Sequence, residues 1–168
     1  MKNFPVTHEG KEYWISRAMT VVGILRAYNK EGQPYVLAVQ RGKGTPDPEY
    51  VGSWCLPCGY LDYDETLQEA IARECKEETG LDTTYYKWRL ASYNDRPEGD
   101  KRQNVGFRFT YDCFEPIENL TVKLTSRFSE KDEVSDIKFI PLSEIEDYKW
   151  AFNHDTIIED LYNNPTIV

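Results

Sequence analysis

Two periodicities alternate along the chain. Met19 to Leu25 (MTVVGIL) is a compact, β-branched apolar run, the pattern of a strand covered on both faces. Tyr35 to Gln40 (YVLAVQ) repeats it after the turn-rich stretch Asn29 to Pro34 (NKEGQP), so the two predict a hairpin. Residues 11–15 (KEYWI) alternate weakly and predict a short first strand. Downstream, Thr84 to Tyr93 has strand propensity, and Val105 to Phe114 is the clearest alternation in the chain. Glu133-Val134 with Ile137 to Pro141 predicts a late strand, and Pro141 to Ile145 a helix start. Trp150 to Tyr162 predicts a last helix packing through Phe152, Ile157, Ile158 and Leu161. Polar, Gly- or Pro-bearing loops fill Arg41 to Gly52, Asn94 to Asn104 and Glu115 to Asp132.

In the middle the period changes from two to 3.6. Leu67, Ala70 and Ile71 fall three and four apart, with Asp64 placed to cap, Glu65 in the first turn and Gly80 to stop the helix. The same stripe continues through Glu74, Glu77 and Glu78 before Leu81. Like charges at this spacing oppose each other by roughly 0.2–0.5 kcal/mol per pair. Two readings are open at this point: a solvated acidic face with ion pairs such as Arg73 to Glu77, or a set of hard oxygen ligands suited to Mg²⁺ or Mn²⁺ over zinc.

The wider pattern decides between them. Gly59, five residues, Glu65, seven residues, Arg73-Glu74-Cys75, one residue, Glu77-Glu78, one residue, Gly80-Leu81 resembles the signature box of the Nudix hydrolases, with Cys75 where a larger aliphatic is usual. The resemblance implies an α/β fold of the α+β type, a mixed β-sheet sandwiched between helices, and residues 1–168 as a single Nudix domain. It implies a metal-dependent hydrolase that cleaves a nucleoside diphosphate linked to another group. By the same resemblance Gly59, Glu74, Glu77 and Glu78 are the metal ligands for Mg²⁺ or Mn²⁺, and Glu74, Arg73 and Glu78 the catalytic set. In it Glu74 joins the metal or acts as base, and Arg73 orients Glu74 by an ion pair. Glu65 is read as structural. Where the base lies in a later loop, as in some families, the candidates here are Glu130 and Glu133. His154 is read as packing or surface.

The approach to the box departs from the family, whose members usually run Pro-Gly-Gly where this chain has Pro57-Cys58-Gly59. The substitution completes Trp54-Cys55-Leu56-Pro57-Cys58, which resembles the WCxPC motif of thiol-disulfide oxidoreductases. That rival needs a βαβ unit before the motif, where this chain offers a hairpin and a long loop, and it leaves the glutamate stripe unexplained. No second CxxC or HxxxH follows to complete a zinc site. Four irregularly spaced cysteines suit a reducing cytoplasm better than a disulfide frame. The first residues, MKNFPVTHEGKEYW, lack an apolar signal segment, and no run approaches the roughly 18 apolar residues of a membrane span. A net charge of −9 argues against stable nucleic-acid or acidic-membrane binding, although metal ions can recruit an anionic small molecule. A homodimer is compatible with all of this.

Within the polar loop, Arg96, Lys101 and Arg102 are candidate substrate contacts. Pro97, sixteen residues beyond Leu81, resembles the spacing in ADP-ribose pyrophosphatases, while the SQPWPFP-type stretch of NADH pyrophosphatases is absent. ADP-ribose-like compounds and ordinary or oxidised (deoxy)nucleoside triphosphates are thus the expected substrates. The alternative from another class is a Nudix-fold sensor without catalysis; against it, no glutamate of the box is missing.

Overall fold

Val21, Val22, Ile24 and Leu25 leave no polar face, and the strand they form, β3 (Met19–Tyr28), is covered on both sides. The computed structural model describes residues 3–97, 103–123 and 133–163. Around β3 lie β4 (Pro34–Arg41), β5 (Trp54–Cys55), β6 (Cys58–Tyr60), β7 (Arg89–Asn94), β8 (Val105–Pro116) and β9 (Val134–Pro141). They form one mixed sheet of order β5-β4-β3-β8-β7, with β6 added on β3 and β9 on β4. β8 pairs with β3 in parallel along its whole length, and the other pairings are antiparallel. The opposite edge of β3 is divided: Thr20 to Val22 pair with β6, and Arg26 to Tyr28 with β4. The N-terminal strands β1 (Phe4–His8) and β2 (Lys11–Ile15) make a separate two-stranded hairpin. β1 is an element the apolar pattern does not announce, since Pro5 and the polar Thr7 and His8 dilute it.

Helix α1 (Leu67–Thr79) covers one face of the sheet. Ala70, Ile71 and Cys75 pack with Val21, Leu25 and Leu37, and the helix lies close because Gly23 has no side chain: a Cβ there would come within 2.7 Å of Ile71 Cδ1. Helix α2 (His154–Asn163) covers the other face, Ile158 joining Val22, Ile24, Val36 and Ala38. This is the sandwiched mixed sheet expected from the sequence.

Four boundaries differ from the pattern-based reading. The cap of α1 is Thr66, not Asp64: Thr66 Oγ1 accepts from Glu69 N–H while Glu69 accepts from Thr66 N–H, a reciprocal arrangement that Asp64, followed three residues on by Leu67, has no means to make. Asp64 sits instead in the left-handed region (φ 66°) and Glu65 precedes the helix, accepting from Asp62 N–H. Gly80 ends the helix as expected, at φ 71° with its N–H on Lys76 O. The strand read from Thr84 begins only at Arg89, because Asp82 accepts from both the N–H and the hydroxyl of Thr84 and turns the chain there. The stretch from Pro141 winds as a 3₁₀ helix (Leu142–Asp147). The last helix starts at His154, not Trp150, since Trp150 bridges to Trp54 and both Phe152 and Asn153 are left-handed.

Candidate active site

The C-terminal half of α1 is organised around one guanidinium. Arg73 donates Nη2 and Nε to the two oxygens of Glu65 (2.7 and 3.0 Å), and Nη1 to Glu74 Oε1 (2.7 Å) and Glu77 Oε2 (3.2 Å). A further bond, Nη2 to Tyr60 O at 2.9 Å, ties the helix to β6. Hydrogen bonding to Arg73 holds the Glu65 carboxyl below its usual range, which fits the structural role read for it. The Glu65 pairing raises the Arg73 pKa above that of a free guanidinium.

Glu74 and Glu78, one turn apart, meet β6. The Glu74 carboxylate lies over Gly59, so closely that a Cβ at residue 59 would overlap it. Glu78 Oε2 accepts from Cys58 N–H at 3.0 Å. Burial pushes both carboxyls above the usual carboxylate range; Arg73 partly offsets this for Glu74, while Cys58 and Glu74 add to it for Glu78. Gly59, Glu74 and Glu78 line a cavity of about 530 Å³. Glu77 is more exposed and is held by Arg73, outside the lining. Glu133 lines the cavity from the start of β9, its carbonyl accepting from Gly42 N–H at 2.8 Å, whereas Glu130 lies outside the described residues. Among the described residues no three His, Cys, Asp or Glu side chains converge as a preformed ligand cluster.

Of the loop cations, Lys101 and Arg102 lie outside the described residues. Arg96 is exposed, its N–H on Asn94 Oδ1 at 3.1 Å, and Asn94 itself lines the cavity. Both stems of that loop are tied to Arg17, which donates to the carbonyls of Asp95, Gln103 and Asn104.

Three cavity residues escape a reading of the sequence. His154 is buried, and its Nδ1 accepts from Leu56 N–H at 2.9 Å, so the ring hydrogen sits on Nε2. Burial, with the charges of Arg108 and Arg41, lowers its pKa to about 3, so the ring is neutral. The ring is packed, as read, and it also lines the cavity. Arg41, at the end of β4, is 8% exposed and donates Nη2 to Thr45 Oγ1. Arg108 enters from β8. The strand pairing places it: Arg108 lies opposite Val22, across β3 from Cys58, the neighbour of Gly59.

The thiols are placed differently from a redox centre. All four cysteines are free, Cys55 is fully buried, and Cys58 opens a strand, not a helix. Hydrogen bonding with Cys55, then burial, pushes the Cys58 thiol well above its usual range, the reverse of an activated thiolate.

Comparison with known proteins agrees with the fold. The NUDIX domain model matches residues 17–161. An ADP-ribose pyrophosphatase of Methanocaldococcus jannaschii is 30% identical over 148 residues, which are 88% of this chain and 74% of that one. The NUDIX domain of Shewanella oneidensis NrtR, solved with ADP ribose, has a TM-score of 0.67 at 25% identity and 90% coverage of each chain. NrtR solved with a 27mer DNA has a TM-score of 0.54 at 25% identity, covering 88% of this chain and 62% of that one. The chain belongs to the Nudix family and is one of its pyrophosphohydrolases. Among the described residues no helix is long and apolar enough to cross a membrane.

Proposed function

We propose that this chain, a single Nudix domain, hydrolyses the pyrophosphate bond of an ADP-ribose-like nucleotide with Mg²⁺ or Mn²⁺. The observation that carries the reading is the convergence of Glu74, Glu78 and Gly59 on one cavity. The donor set fits the ion: two carboxylates held above their usual range by burial line one cavity, and hard oxygen donors of this kind suit a divalent cation such as Mg²⁺ or Mn²⁺. Glu74, Glu78 and the Gly59 carbonyl would hold it, with Glu77 joining from the Arg73 side. When bound, the ion supplies charge neutralisation on phosphate oxygens and a more acidic water. The name of the Methanocaldococcus relative and the ligand of the Shewanella domain support the substrate class.

The chain's own residues do the rest. Glu74 takes the proton of the attacking water, and its raised pKa moves it towards the range where a carboxylate works as a base. Water oxygen bonds to phosphorus, the anhydride P–O bond breaks, and two phosphomonoesters leave. Arg73 occupies Glu74 Oε1 and so fixes the direction of the carboxylate. The exposed Arg96 is assigned to contact substrate, as are Lys101 and Arg102, which lie outside the described residues.

The likeness to NrtR supports a second reading, nucleotide binding without turnover. One assay separates the two. ADP-ribose, nucleoside diphosphate sugars and (deoxy)nucleoside triphosphates are incubated with wild type and Glu78→Gln, in Mg²⁺ and in EDTA. Release of a nucleoside monophosphate only by wild type with metal is expected. Binding without turnover selects the sensor, and full turnover in EDTA overturns the metal site.

A further inference from the structure

Beyond Arg108 the sheet carries a second cavity under α2, of about 500 Å³. Its floor is set by strand pairing. Down the parallel β3–β8 ladder Val22 faces Arg108, Ile24 faces Thr110 and Arg26 faces Asp112, and alternation turns all six to one side of the sheet. A step of two residues is about 7 Å, so the Arg26–Asp112 row lies about 13 Å beyond the Arg108 row, where the catalytic cavity ends. Arg108 and Ile157 line both cavities, and no residue of α1 lines the second. Ile24, Leu90, Ile157 and Leu161 give it an apolar body.

The polar end is not balanced. Asp112 accepts Arg26 Nε at 2.5 Å and lies 3.9 Å from Arg89 Nη2, so one carboxylate serves two guanidinium groups. Asp160 also lines the cavity, but among the described residues it forms no ion pair with either arginine. Arg26 Nη1 and Nη2 have no hydrogen-bond partner among the described residues, and the guanidinium lies over the Tyr162 ring at 4.5 Å. The Tyr162 hydroxyl, beside Thr110, is shut from water and makes no hydrogen bond among the described residues. Burial raises its pKa to about 12, so it stays a donor. In a chain of net charge −9, where carboxylates are plentiful, an uncompensated guanidinium beside an idle hydroxyl is a set that an oxyanion satisfies. A phosphomonoester brings three acceptor oxygens to the two forks and the hydroxyl. A carboxylate brings two, and Asp112 already plays that part.

We propose that this second cavity binds a phosphomonoester with an apolar or aromatic body, its phosphate on Arg26, Arg89 and Tyr162 and its body against Ile24, Leu90 and Leu161. The site is independent of the hydrolase reading, since no carboxylate of the box takes part in it.

Isothermal titration of phenyl phosphate in EDTA tests the site, with inorganic phosphate and benzoate as probes that lack the body or the phosphate. Phenyl phosphate should bind wild type and Glu78→Gln alike, at one molecule per chain, about tenfold more tightly than either of the other two. Arg26→Gln should weaken it about tenfold or more, and Tyr162→Phe about threefold. Tyr162→Phe keeps the ring under Arg26 and removes a hydroxyl that holds nothing, so it reads the site even where Arg26→Gln unfolds. Benzoate bound as tightly as phenyl phosphate would make the occupant a carboxylate and overturn the phosphate assignment. No saturable binding at millimolar phenyl phosphate, or equal binding by all the variants, overturns the site. Binding lost in Glu78→Gln but kept in Arg26→Gln puts the ligand in the catalytic cavity and overturns it too.

Discussion

Arg73 and Arg41 are both partly or wholly withdrawn from water, and their surroundings are opposite. Arg73 has every arm occupied by Glu65, Glu74, Glu77 and the Tyr60 carbonyl. Arg41 has one hydroxyl, an aromatic ring and, without a direct ion pair among the described residues, the field of the buried Glu78 carboxylate. A saturated guanidinium is a fastener, whereas one left short of acceptors has capacity for a ligand. The difference also sets what a substitution should read: at Arg73, chemistry and stability are expected to fall together.

The largest effect tests the carboxylates that Arg73 positions. Glu74→Gln keeps shape and hydrogen bonding but has no basic oxygen pair, and kcat should fall by about 10²–10⁴-fold. Quenched-time-course assays in Mg²⁺ measure it, and near-normal turnover would show that the base lies elsewhere, Glu133 being next in line. Arg73→Gln should cost both rate and up to about 3 kcal/mol of stability, since it leaves partly buried carboxylates without their cation. Urea melts beside rate measurements check it; a loss of rate at unchanged stability would make Arg73 a positioning residue only.

A smaller effect is written into pH. His154 is depressed from an unfolded value of 6.5 to about 3, so between these values the unfolded chain binds the extra proton. Stability from this residue is therefore complete above pH 6.5 and is lost as pH falls below it, by about 1.4 kcal/mol per unit. Asn at residue 154 can still accept from Leu56 N–H but does not titrate. The wild-type and His154→Asn curves should converge from pH 7 down to pH 5, and parallel curves would mean that the imidazole is not held neutral. The smallest effect is expected at the thiols. Replacing Cys55 and Cys58 together by Ala should leave kcat/KM within a few-fold in a folded protein, while loss of hydrolysis there would reopen a chemical role for sulfur.

The box made α1, its stop at Gly80 and the trio Gly59, Glu74 and Glu78 legible beforehand, because helix periodicity itself puts residues 74 and 78 on one side. The strands were legible where both faces are apolar. Other features depended on hydrogen bonds that compete locally: Thr66 with Glu69 displaces Asp64 as cap, and Asp82 with Thr84 delays β7. Arg41, Arg108 and His154 were hidden for another reason. They lie far apart in the chain, and only the pairing of β4 with β9, the parallel β3–β8 ladder and the left-handed turn at Phe152 and Asn153 bring them together. Neither a spacing rule nor a charge count carries that information.

Gly59 and Cys58 are neighbours in β6, and a strand turns successive side chains to opposite faces. Cys58 packs with the cluster beneath α2, where a side chain has room; residue 59 lies beneath the Glu74 carboxylate, where it has none. A methyl group at 59 would meet the far end of a flexible side chain, so the fold would give way by moving Glu74 and little else. The two glycines of the usual Pro-Gly-Gly are thus held by different constraints. One answers to packing and can drift to cysteine with a change in core volume. The other answers to the reaction, and its replacement would yield a protein that still folds while the base it depends on stands in the wrong place.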